Sequence, residues 1–287
     1  MPKLSPREIR RKIQGIKNTR RITKAMKVVS AAKLRRAQEL IFSSRPYSDN
    51  LYNMVNAVAS HEGVKENPMF EVREIRRVDL IVISADRGLA GAFNSAVIKR
   101  AEELAKEHAS LGRDVSLILI GRKAIQGLSK RGKQVVLKLE EVVKKEVNFE
   151  AVKQVGELLR DRFLKGNSDA AFTVGNELIT RASFQPMVRK FLPLEPPESK
   201  EDFTYDFEGD LEDFLNRLIE LYLNYQIYRA LLESSAAEHL ARMLAMDNAT
   251  RNADQLIKTW TLIFNKARQE SITSELIDIT NAVEAMK

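Results

Sequence analysis

Three places in this 287-residue chain carry residue types that could do chemistry. The first is Ser84 to Asn94 (SADRGLAGAFN), which follows an apolar, β-branched run and opens a helical pattern. A glycine-lined turn in that position can present backbone N–H groups to a phosphate. Gly88 and Gly91 do not fit G-x-G-x-x-G, however, and no G-x-x-x-x-G-K-[ST] occurs. A tight strand-to-helix turn needing small residues explains the segment better. The same discount applies to Gly121, Arg122 and Lys123 after the next apolar run. The second place is the scattered titratable set. His61, His108 and His239 lie far apart, without metal-ligand spacing. Glu140 and Glu141 sit among lysines as a solvated face, and no serine has a histidine at elbow spacing. There are no cysteines, which excludes disulfides, thiolate metal sites and thiol catalysis. No catalytic residue, metal site or cofactor is expected in this chain.

The third place is a basic run: Arg10, Arg11, Lys12, Lys17, Arg20, Arg21, Lys24, Lys27, Lys33, Arg35 and Arg36. Residues 1–45 hold 14 Lys/Arg against Glu8 and Glu39, so they carry +12, while the whole chain carries +8 and the remainder sums to −4. Such a segment should face acid. Nucleic-acid phosphate is one reading, giving a basic coiled-coil nucleic-acid-binding protein. Residues 1–41 contain no aromatic platform for bases. An acidic protein surface explains the charge as well as DNA does.

These residues need elements to position them. From Asp210 to Lys287 there is neither glycine nor proline, so one helix of roughly 115 Å is expected. Its seam runs Met243, Met246, Thr250, Ala253, Ile257, Trp260, Phe264, Ala267, Ser271, Ser274, in steps alternating three and four, which is coiled-coil spacing. A second long helix is expected from residue 5 to about 58. Its stripe reads Ile9, Ile13, Ile16, Ile22, Met26, Val29, Leu34, Ala37, Ile41, and Pro46 should kink or restart it. Between them, Val78–Ser84, Val115–Ile120, Val135–Leu137, Ala170–Thr180 and Met187–Leu192 read as strands. Asn94–His108, Arg122–Lys130 and Phe149–Leu164 read as helices. The expected fold class is α/β: a long antiparallel coiled coil of N- and C-terminal helices with an inserted small, Rossmann-like α/β domain on a mainly parallel sheet. The boundaries are 1–60 for the first helix, 70–200 for the α/β domain and 209–287 for the last helix, with a proline-marked linker before Asp210. Starting both helices level places Met1 beside residue 265. The C-terminal segment then stands alone, with Ile272, Leu276, Ile277, Ile279 and Val283 requiring a sleeve supplied by another protein. No apolar run approaches the length of a membrane span, and the N-terminal residues MPKLSPREIRRKIQ are basic but lack the apolar stretch of a secretory signal. A cytosolic-side location follows.

Four blocks are recognisable. Ile13–Val29 (IQGIKNTRRITKAMKVV) with Ala31–Gln38 (AAKLRRAQ) resembles the N-terminal helix of the gamma subunit of F-type ATP synthases. Ser84–Asn94 resembles that family's S-D-[KR]-G-L-C-G-x-x-N turn. His239–Ala253 (HLARMLAMDNATRNA) resembles its A-R-M-x-A-M-x-x-A-T-x-N-A block. Asn265–Ile279 (NKARQESITSELIDI) resembles its N-[KR]-x-R-Q-x-x-I-T-x-E-[IL]-x-[DE]-I signature. The likeness covers the whole chain. Two departures stand in the turn: Ala85 is an extra residue, and Ala90 replaces a frequent cysteine. The redox insert of chloroplast members is absent too.

The resemblance implies the central-stalk rotor of a proton- or ion-driven motor, itself non-catalytic. The coil would turn inside a hexamer of alpha and beta subunits, with nucleotide chemistry mainly on beta. The α/β domain would bind the epsilon subunit and the membrane ring of c-type subunits. The resemblance also implies a peripheral place on the cytoplasmic face of a bacterial inner membrane, with no insertion into it. The basic N-terminal helix and the block around Arg242 are expected to meet acidic loops of beta, and Met26 on that helix to oppose the block. Arg268, Gln269, Thr273 and Glu275 are expected to touch the sleeve, and Tyr205 and Glu208 the ring.

Overall fold

The computed structural model describes residues 5–59, 67–144, 146–180, 183–194 and 211–286. They pack as two units: Met1–Ser30 with Arg242–Lys287, and Ala31–Ala241. Two long helices contribute to both, α1 (Pro6–Ala59) and α5 (Leu211–Ala285). The start of α1 is written in its first four residues. Ser5 precedes Pro6, which has no N–H to lose at the first helical position. The Glu8 amide donates to the Ser5 hydroxyl (3.3 Å) and the Glu8 carboxylate accepts from the Ser5 amide (2.8 Å). This reciprocal capping box holds the Glu8 carboxyl below its ordinary pKa. Pro46 neither ends nor restarts α1, which runs through it as one helix.

The α/β unit is built on strands β1 (Arg77–Ile83), β2 (Asp114–Ile120), β3 (Gln134–Leu139), β4 (Ala170–Thr180) and β5 (Ser183–Leu192). Their order is β3-β2-β1-β4-β5. The first four are parallel and β5 returns antiparallel to β4. β1 and β2 are covered on both faces, which is why they read as unbroken apolar runs. Alternate residues face opposite layers. Ile81, Ile83, Ile118 and Ile120 join the core with α4 (Phe149–Leu164) and α5. Leu80, Val82, Leu117 and Leu119 join the one with α2 (Phe93–Ser110) and α3 (Arg122–Leu128). One charged pair is buried in this sheet: Arg162 clasps both oxygens of Asp79 (2.8 and 2.9 Å) and also donates to Ser116.

In the coiled-coil unit the seam of α5 is the one that the spacing predicts. Met243 through Ser271 are all buried or half-buried, and Ser274 is exposed. The α1 stripe needs correction: Ile22 is 60% exposed and Val29 55%. Met26, Leu34, Ala37 and Ile41 of the expected stripe are buried or half-buried; the seam against α5 runs through Ile9, Ile13, Ile16, Thr23, Lys27 and Ser30. With Arg20 they form a strict alternation of fours and threes. Choosing apolar residues misplaces the stripe, whereas counting the period places it, because the middle of the seam is polar.

The pairing register also differs from a level start. Arg20 meets Asp254, Thr23 meets Thr250 and Lys27 meets Asp247, so partner numbers add to 273 or 274. Ser5 therefore stands opposite about residue 268, two turns further along α5 than a level start gives. The antiparallel pairing itself is as expected.

Candidate functional site

Two places can be assessed as sites: the crevice where a nucleotide would sit in the α/β unit, and the surface of the coil.

Strand order reverses at β1, and in open α/β sheets ligands bind beyond the carboxyl ends of the strands at such a point. Here the protein's own side chains hold that place. Asp86 accepts the Arg122 amide (2.9 Å) and the Glu141 amide (3.1 Å). The Ser84 hydroxyl accepts the Ala124 amide (2.7 Å), and Asn94 accepts the Ala85 amide (3.0 Å). These are the backbone donors that a phosphate would need. Gly121, at φ +94°, lies so close to Ser84 that a Cβ would stand 2.1 Å from its carbonyl oxygen. The remaining cavity is about 20 Å³, closed by Leu231 and Ser234 of α5, which is room for about one water. The segment is a self-filled turn. Asp86, unremarked in the sequence, is its central acceptor.

The coil presents the opposite character. Lys12 lies over the Trp260 ring at 4.1 Å, a cation–π contact. Lys27 and Arg251 together hold the Asp247 carboxyl below its ordinary pKa, Lys27 contributing most. Ile22, Val28 and Val29 on α1, and Leu256, Leu262 and Ile263 on α5, point outward. So do Ile272, Leu276, Ile277, Ile279 and Val283. Among the described residues, these last have no α1 segment opposite them at the observed register.

Of the residues singled out by sequence, Met26 and Arg242 are half-buried, and Arg268, Gln269, Thr273 and Glu275 are exposed. The register sets Met26 level with Asp247, between one and two turns from Arg242. Thr273 donates to the Gln269 carbonyl (2.9 Å), and Glu275 accepts from Ser271 (3.3 Å). The helix thus satisfies these hydroxyls itself and leaves the Arg268, Gln269 and Glu275 side chains outward. Tyr205 and Glu208 lie outside the described residues. Sequence reasoning missed the cross-helix pairs at Arg20, Thr23 and Lys27. Their signal was available in the strict seam count on α1.

The model of a family described as ATP synthase matches residues 5–286. The ATP synthase gamma chain of Aquifex aeolicus is 60% identical, over all of this chain and 99% of its own length. That of Hydrogenobaculum sp. is 53% identical over the full length of both. Among solved structures, a chain of the Euglena gracilis mitochondrial ATP synthase superposes with a TM-score of 0.70. It is 19% identical and covers 98% of this chain and 94% of its own. A chain of the central stalk and c-ring structure of the Tetrahymena thermophila enzyme gives 0.63 at 24% identity, covering 79% and 99%. At these identities the two structures speak for the fold.

Proposed function

The chain belongs to the ATP synthase gamma-chain family, and from that premise we propose that it is the non-catalytic rotor of the central stalk. It couples rotation of a membrane ring, driven by protons or another ion, to ATP synthesis or hydrolysis on alpha and beta subunits. The observation that carries this reading is the last part of α5. It continues as regular helix with Ile272, Leu276, Ile277, Ile279 and Val283 exposed. An isolated helix of that composition is marginal in water, and an apolar stripe of that length calls for a partner surface. An enclosing hexamer supplies one.

The coil's chemistry suits the role. A rotor must show a different face to each of several equivalent neighbours, and here the excess positive charge lies on α1. Arg268, Gln269, Thr273 and Glu275 are the proposed sleeve contacts, and the basic α1 with the Arg242 block the proposed contacts to acidic loops of beta, Met26 opposing that block at the subunit interface. Tyr205 and Glu208 are proposed to meet the c-type ring, and the α/β unit the epsilon subunit. No described helix is long and apolar enough to cross a membrane. We place the chain peripherally, through its partners, on the cytoplasmic face of a bacterial inner membrane. The nucleic-acid reading finds no support: Lys12, Arg20 and Lys27 are engaged by Trp260, Asp254 and Asp247.

Reconstitution tests the proposal. The purified chain alone should hydrolyse no ATP, and adding it to the cognate alpha and beta subunits should raise their ATPase activity. Failure to stimulate native partners would overturn it.

A further inference from the structure

Four consecutive seam positions of α1, Arg20, Thr23, Lys27 and Ser30, are polar, and three of them meet polar partners on α5. Arg20 pairs with Asp254 at 2.5 Å, Thr23 with Thr250 at 2.8 Å and Lys27 with Asp247 at 2.5 Å. Thr250 also donates to the Met246 carbonyl (2.7 Å), and Arg251 braces Asp247 from the side. On one side of this band the seam is apolar, with Ile9, Ile13 and Ile16 facing the Ile257, Trp260 and Phe264 stretch at the observed register.

Ion pairs this exposed add little to stability, so the band is a poor way to strengthen a coil. It is an effective way to forbid the wrong alignment. Sliding α5 by one turn in one direction sets Lys27 beside Met243, one residue from Arg242. Sliding it the other way sets Lys27 beside Arg251 and Arg20 beside Lys258. Either slip separates opposite charges and brings like charges together, whereas an apolar seam of small residues would tolerate both.

We propose that Arg20, Thr23 and Lys27 with Asp247, Thr250 and Asp254 are positioning residues that lock the axial phase of the two helices, so that torque passes between them without shear. The proposal rests on the rotor reading for its purpose, but the lock can be tested without it.

The chain has no cysteine, so introduced pairs report cleanly. Ile16→Cys with Ile257→Cys reports the observed register, and Ile16→Cys with Thr261→Cys reports a slip of one turn. Disulfide yields are compared in the isolated chain with residues 27 and 247 native, with Lys27→Asp, with Asp247→Lys, and with both exchanged. Each single reversal should raise the slipped bridge about threefold, the scale of an exposed ion pair. The exchange restores the 27–247 attraction but leaves Asp at position 27 opposite Arg251 in the slipped register, so it should bring the yield part of the way back from the Lys27→Asp level. The same single reversals in the whole reconstituted complex should pump fewer ions per ATP hydrolysed, with partial recovery in the exchange. A slipped bridge unchanged by either reversal, or not lowered by the exchange relative to Lys27→Asp, overturns the lock. A native chain that fails to stimulate alpha and beta would instead overturn the rotor reading, leaving the disulfide result to stand or fall by itself.

Discussion

The α/β unit and the coiled-coil unit solve the same packing problem with opposite materials. In the sheet, every face of β1 and β2 is covered by large aliphatic side chains, and its one buried charge pair is doubly hydrogen-bonded. In the coil, the seam is thin. Threonine, serine and alanine occupy central positions, ion pairs stand half in water, and much of the large aliphatic surface faces outward. A domain that must hold its own shape keeps its apolar surface inside. A coil that keeps Leu, Ile and Val on its outside is built for an environment supplied by others.

The difference can be tested from its strongest element down. The largest effect is expected at Arg162. Arg162→Ala leaves Asp79 charged and buried without a partner, and should cost about 3–5 kcal/mol by urea denaturation. Asp79→Leu with Arg162→Leu should recover most of that. Full stability in Arg162→Ala would mean that the sheet is less dry than its geometry indicates. Next is the contact of α4 with α5. A Cβ at Gly156 would stand 2.3 Å from the Asn224 side-chain oxygen. Gly156→Ala should therefore cost about 1–3 kcal/mol as overpacking, read by faster hydrogen exchange in α4.

Smaller effects belong to the coil, where Trp260, the sole tryptophan, reports locally. Because Lys27 and Arg251 hold Asp247 below its ordinary pKa, its contribution is fully present above the unfolded value of about 3.9. It is lost as pH falls through the lowered folded value. The urea midpoint from Trp260 fluorescence should therefore drop with acid below pH 4, and Asp247→Asn should flatten that drop. The smallest effect is expected where α5 is most exposed. Leu276→Ala should change the stability of the isolated chain by no more than about 0.5 kcal/mol. It should nevertheless weaken stimulation of the alpha and beta ATPase. A large loss of stability in the isolated chain would show that Leu276 is covered by the chain itself.

Residue order alone carries much of this molecule. The absence of helix breakers, the three–four spacing from Met243 onward and the β-branched runs at Val78 and Val115 are local properties, so the long helix, its seam and the central strands are legible in the sequence. The four family blocks point to the relatives in the same way. What residue order does not decide is how distant segments meet. Asp86 as the acceptor filling the β1 turn depends on α3 and Glu141 arriving from elsewhere in the chain. The axial offset of α5 against α1 is set by three side-chain pairs more than 200 residues apart. The outward turn of Ile22 and Val29 follows from a helix phase that apolarity alone misjudges. Local conformational preference is carried by neighbouring residues. Register and closure depend on free-energy differences between whole packings, and these take their values only once the chain has folded.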